Sequence, residues 1–199
     1  MRRPLNAFAL CGSGNGMIFR ATQKMASKLR IACSAITDGY PTMVEWYCNV
    51  VFLRRRQFFL FTHAPSLFSL WTPAAGSNRD GFGAMFRRGA IDTLNGYGFS
   101  NGDAARIIDD GPDVFAKAVD RHVIGSMVDY AKMLRHAVEY EGGFEHLASR
   151  AMNAIANECP MSAIGMESPV DYLRQILRAE TPHNIAVHRT GARVARSGR

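Results

Sequence analysis

Nine consecutive residues, Glu45 to Leu53, constrain the fold more than any other stretch of this sequence. Read with a period of two, Trp46, Cys48, Val50 and Phe52 alternate with Tyr47, Asn49, Val51 and Leu53, so both faces are largely apolar. A strand with one wetted face alternates apolar and polar; this one has to lie inside a sheet that is covered on both sides. Two further β-branched and aromatic runs, Gln57 to Thr62 and Leu67 to Thr72, follow after short connections. Met17 to Ala21 supplies a shorter candidate strand. Short connections between such runs favour antiparallel pairing, so the expected sheet is small and antiparallel and lies mostly in the N-terminal half.

The remainder carries helical periodicity. Thr22 can cap a short helix in which Met25 and Leu29 stand four apart. Phe82, Met85, Phe86, Ala90 and Leu94 form a stripe that ends at Asn95-Gly96. Ser100 with Asp103 has the spacing of a capping box. Val123, Met127, Tyr130, Leu134 and Val138 stripe a long helix opposite Asp129, Lys132, His136 and Glu139, and Glu141-Gly142-Gly143 stops it. Phe144, Leu147, Ala148, Ala151, Met152 and Ile155 stripe the next helix, ahead of Pro160. Ser168, Pro169 and Asp171 open the last one, with Val170, Leu173 and Leu177 facing inward. The expected architecture is α+β, with a small antiparallel sheet packed against a helix-rich C-terminal half. At 199 residues, with 47% hydrophobic and 21% charged side chains, disordered and fibrous classes are excluded.

The formal charge of +7 is misleading as a functional clue. Six arginines and no acid lie in residues 1–16 and 181–199, which leaves 18 basic and 17 acidic residues over 17–180. A nucleic-acid-binding domain carries its excess charge on a folded face, so nucleic acid is expected here only through the Arg-rich tails. The organisation expected is a flexible extension over 1–16, one domain over 17–180 and a basic tail beyond. Cys11-Gly12-Ser13-Gly14-Asn15-Gly16 lacks the preceding strand and following Gly-Lys-Ser/Thr of a phosphate loop. Four scattered cysteines without C-x-x-C spacing fit free thiols in a reducing cytoplasm. No run approaches the ~18 apolar residues of a membrane span, and Leu5 to Leu10 is too short for a signal core. No cofactor is implied, and the histidines show no metal-ligand spacing.

Arg54-Arg55-Arg56, set between two hydrophobic runs, is the most unusual local feature. A guanidinium cluster at a sheet end can grip phosphate or carboxylate bidentately, or it can simply mark a solvated turn. The absence of Gly, Asn or Pro there places at least one arginine within a strand. A second candidate is Asp120-Arg121-His122 leading into Gly125-Ser126-Met127 and Asp129, at the start of the long helix. Ser126, His122 and Asp129 could be drawn as nucleophile, base and acid, but no nucleophile elbow or oxyanion hole accompanies them. Local packing by Gly125, a backbone bond from Ser126 and pairing of Asp129 with Lys132 or Arg121 account for the same residues. Arg87-Arg88 near Asp92 fits exposed pairing across a helical turn.

These landmarks together resemble an uncharacterised family of small bacterial proteins, a domain of unknown function about as long as residues 17–180. The resemblance rests on Thr22-x-Lys24 after the opening strand and on Trp46 leading a strand that ends in Arg55-Arg56. It also includes Arg121 ahead of Gly125-Ser126-Met127-x-Asp129, then Pro160-Met161 and the Ser-Pro-capped last helix. Val128 stands where the family pattern has Asn, which thins any polar network at that turn. The resemblance implies no reaction; it groups Trp46, Arg55, Arg56, Arg121 and Asp129 as one fold-defining or binding constellation. The resulting expectation is a non-catalytic module that recognises a protein partner or a small anionic ligand, with no membrane. The candidate residues are Arg55, Arg56, Arg121, Lys24, Trp46, Ser126 and Asp129. The alternative is an enzyme on a phosphorylated or nucleotide substrate, with Lys24 and the arginines holding phosphate and Asp129 or His122 moving protons.

Overall fold

The structure, a computed structural model, describes residues 16–34, 42–74, 79–144 and 149–179. Five strands, β1 (Met17–Ala21), β2 (Glu45–Leu53), β3 (Arg56–His63), β4 (Ser69–Pro73) and β5 (Asp113–Lys117), form one sheet in the order β4-β3-β2-β1-β5. The helices are α1 (Gln23–Leu29), α2 (Arg79–Gly96), α3 (Asn101–Ile107), α4 (Arg121–Tyr140), α5 (Ser149–Asn157) and α6 (Pro169–Ala179). The α+β class is as expected, but the sheet is mixed and not antiparallel. β2 pairs antiparallel with β3 through a two-residue hairpin, and β3 with β4 through a five-residue loop. β1 instead lies between two parallel partners, β2 and β5, each reached through helical crossover chain. The second half is helix-rich as expected, and it also contributes the short edge strand β5, which no sequence pattern marks.

β2 occupies the third position of the five and is covered on both faces. Trp46, Cys48 and Val50 join a core with Phe19, Phe61, Phe82, Phe86, Leu173 and Ile176. Tyr47, Val51 and Leu53 join a second core with Val123, Met127, Tyr130, Leu134 and Met152. In the first core the rings meet edge to face, Phe19–Phe86 at 5.0 Å and Trp46–Phe86 at 4.9 Å between centroids.

Side-chain caps fix the helix starts. Thr22 Oγ1 accepts from Met25 N–H, and Ser100 and Asp103 close a reciprocal capping box. Gly142, at φ 79°, takes the left-handed conformation that terminates α4. Arg87 departs from the exposed pairing expected of it. It is half-buried and spans to the loop before β5, donating from Nε to the Asp109 carbonyl and from Nη2 to that of Gly111. Nη2 also lies 2.7 Å from Asp113 Oδ1. Gly83 leaves room for this clamp: a Cβ there would displace the Asp113 carboxylate and the Arg87 guanidinium.

The open edge of β4 is closed by α5. Asn157 accepts from Ser69 N–H and donates to the Ser69 carbonyl, both at 2.7 Å, and Asn153 Oδ1 accepts from Trp71 N–H at 3.0 Å. Of the expected N-terminal extension only Gly16 is described; it is buried against Pro112. Residues 1–15 and the basic tail lie outside the described residues. No helix among the described residues is long and apolar enough to cross a membrane.

Candidate anion site at the carboxyl edge of the sheet

Because β1, β2 and β5 run parallel, their carboxyl ends share one edge. Ala21 is in register with Cys48 on one side and Lys117 on the other. After β1 the chain enters α1, whose Met25 and Leu29 belong to the first core. After β5 it enters α4, whose Val123, Met127 and Tyr130 belong to the second. Neighbouring parallel strands whose next helices leave to opposite faces define the switch point at which open sheets receive ligands. Lys24 and Arg121 stand in the first turns of those two helices, and both are exposed.

β2 continues past this level. It runs five residues beyond Cys48 before turning, which carries the β2–β3 hairpin about 17 Å further at 3.3 Å per residue. Leu53 pairs with Arg56, so Arg54 and Arg55 are the two-residue loop and Arg56 opens β3. Arg54 holds φ at 52°, a left-handed conformation that hairpin loops normally assign to Gly or Asn. Arg54 and Arg55 are exposed and make no hydrogen bond or ion pair among the described residues. The Arg56 guanidinium lies 5.5 Å over the Phe144 ring, which stacks on Phe58 at 5.0 Å. On the opposite face Phe52, paired with Gln57, is 55% exposed.

Beneath the start of α4 lies a buried polar layer. Arg20 and Glu45, only 4% and 5% exposed, form an ion pair at 2.9 Å. Arg20 also reaches the Lys117 carbonyl at 3.4 Å. Tyr47 Oη accepts from Asp120 N–H at 3.1 Å, and burial pushes the Tyr47 hydroxyl pKa up. Thr22 Oγ1 donates to Asn49 Oδ1 at 2.7 Å, tying the first turn of α1 to β2. These links hold the two helix starts in fixed positions relative to the strand ends.

The residues singled out from sequence therefore divide. Lys24, Arg121, Arg55 and Arg56 share the carboxyl edge. Trp46 does not reach it: it is fully buried in the first core, with Nε1 donating to the Ile107 carbonyl at 2.9 Å. Ser126 is buried and donates to the His122 carbonyl one turn back, at 3.0 Å. Asp129 faces outward from α4 and pairs with Lys132 at 3.2 Å. Ser126 and Asp129 are thus engaged within their own helix, and no nucleophile, base and acid are assembled there. Arg20, Glu45 and Tyr47 are what sequence reasoning missed. The signal available was an arginine inside the apolar run Met17–Ala21 and a glutamate opening β2.

A second concavity, about 710 Å³, lies between the end of α2 and the start of α6, lined by Tyr97, Glu158, Glu167, Asp171 and Arg174. Each of its carboxylates already has a partner: Arg174 pairs with Asp171, Tyr97 donates to Glu158, and Gln175 donates to Glu167. Among the described residues no three of His, Cys, Asp and Glu converge as metal ligands.

No curated protein matches the chain. A family model does, over residues 18–172, a span that takes in β1 through the start of α6 and every residue of the edge described above. The chain is accordingly a member of the family described as Domain of unknown function (DUF6933).

Proposed function

We propose that this protein is a non-catalytic binding module, a single α+β domain over residues 17–180 acting in a reducing cytoplasm. It captures an anionic ligand at the carboxyl edge of its sheet. Arg55 and Arg56 present guanidiniums at the hairpin, and Lys24 and Arg121 flank the strand ends below.

The observation that carries this reading is the hairpin loop. Arg54 occupies a left-handed position where Gly or Asn would be easier, and it stands next to a second arginine, neither forming an ion pair among the described residues. Arg30, Leu67 and Met166 also take a positive φ, so what sets this loop apart is that conformation within a run of three arginines. Arg54 and Arg55, with no hydrogen-bond or ion-pair partner among the described residues, and Arg56 beside them over Phe144 are suited to oxyanions, which guanidiniums bind in planar two-point fashion.

The test is calorimetric titration of the full chain with inorganic triphosphate. Arg55→Glu/Arg56→Glu is expected to weaken binding at least tenfold and leave the circular dichroism spectrum unchanged. Undiminished affinity in that variant rejects the site.

A further inference from the structure

We propose that the anion taken at this edge is a single-stranded nucleic acid, with backbone phosphates on Arg54 and Arg55 and a base stacked on Phe52. The inference rests on the anion-binding reading above and narrows its ligand class.

Span is the first argument. Lys24 and Arg121 sit near the level of Ala21 and Cys48, whereas Arg54 and Arg55 stand about 17 Å further along the sheet. A ligand that engages both groups at once has to extend along the sheet edge, as a strand of several nucleotides does.

The second argument is Phe52. Side chains on its face of β2 are otherwise buried: Trp46, Cys48 and Val50 have at most 4% of their surface exposed, against 55% for Phe52. Its cross-strand partner is Gln57, a half-buried polar neighbour, so the ring presents an open flank next to the arginine loop. An aromatic ring on a sheet surface, beside cations and an amide, is a platform on which any base can stack. An acidic peptide would use the arginines equally well but has no general need of the ring. The charge that matters lies on the folded body, so the contact differs from the tail-only association expected from sequence.

Fluorescence anisotropy on the full chain separates the outcomes. The probes are a labelled twelve-nucleotide oligothymidylate, inorganic polyphosphate of equal charge as competitor, and a labelled twelve-residue glutamate peptide. Every variant retains both tails, so differences between variants report on the hairpin alone. Phe52→Ala is expected to weaken oligonucleotide binding about tenfold and to leave polyphosphate unaffected, and Phe52→Tyr is expected to restore it. Arg54→Glu/Arg55→Glu is expected to weaken both. If Phe52→Ala binds the oligonucleotide normally, or the glutamate peptide binds as tightly, the nucleic-acid inference fails while the anion site stands. If Arg54→Glu/Arg55→Glu changes nothing for any probe, both fail together.

Discussion

His63 sits with no exposed surface, its ring 5.0 Å from that of Trp46. Nε2 faces the Met43 carbonyl at 2.9 Å and Nδ1 faces Ser66 Oγ at 2.8 Å. A carbonyl only accepts, so Nε2 carries the proton and Nδ1 accepts from the serine hydroxyl; the neutral ring satisfies both. Burial lowers its pKa from 6.5 to about 4, against a small opposing contribution from the Met43 bond. The unfolded chain therefore binds more protons between those two values. Stability is full above pH 6.5 and declines as pH falls toward 4, by about 3 kcal/mol for this residue. Urea denaturation at pH 7, 5.5 and 4.5 should show that decline, and His63→Gln should be less stable at pH 7 yet nearly flat across the window. Parallel pH profiles for the two proteins would contradict the assignment. Asp103 and Asp171, held low by hydrogen bonds from Ser100 and Ser168, lose their contribution only below the ordinary carboxylate value of 3.8. The two effects are therefore separated in pH.

Among the elements, the hairpin and the β4 edge make opposite demands on their side chains. Arg54→Gly relieves the left-handed φ of 52° and should raise stability by up to ~1 kcal/mol while weakening capture of inorganic triphosphate. A variant that gains no stability, or that binds as before, would show that the loop is not strained for the sake of its charge. At the other edge Asn157 stands in for a sixth strand, meeting both backbone groups of Ser69. Asn157→Asp keeps the acceptor, loses the donor and sets a carboxylate against the Ser69 carbonyl. The expected loss is about 3 kcal/mol in urea denaturation, with concentration-dependent association visible by light scattering as the edge opens. Neither role could be read from sequence. Asn157 falls off the apolar stripe expected for α5, where a polar residue reads as solvent-facing, and its partner is 88 positions away.

For the molecule as a whole, the legible part was what local pattern controls. β2 was found to its end residues because both its faces are apolar. α1, α3, α4 and α6 announced themselves through Thr22, the Ser100–Asp103 box, the Val123-to-Val138 stripe and Ser168-Pro169. Strand direction was not legible, since pairing between β1 and β5 is set by packing across the whole chain. β5 itself is five residues long, half-buried and, among the described strands, paired with β1 alone, too weak a signal to separate from loop. At the candidate site, the arginine hairpin was visible because charge interrupts hydrophobic runs. The exclusion of Trp46, Ser126 and Asp129 required knowing which way each side chain turns.

The parallel pairing of β1 with β5 also has a consequence in time. Ala21 finds Lys117 only after 96 further residues have been added. At the ~5–20 residues per second of translation, β1 waits roughly 5–20 s after leaving the ribosome with one flank unpaired. An interior strand of the finished sheet thus has its hydrogen bonds completed only when the edge strand β5 arrives. The nascent chain is therefore most vulnerable to wrong partners along β1, and any stall before Lys117 prolongs that exposure.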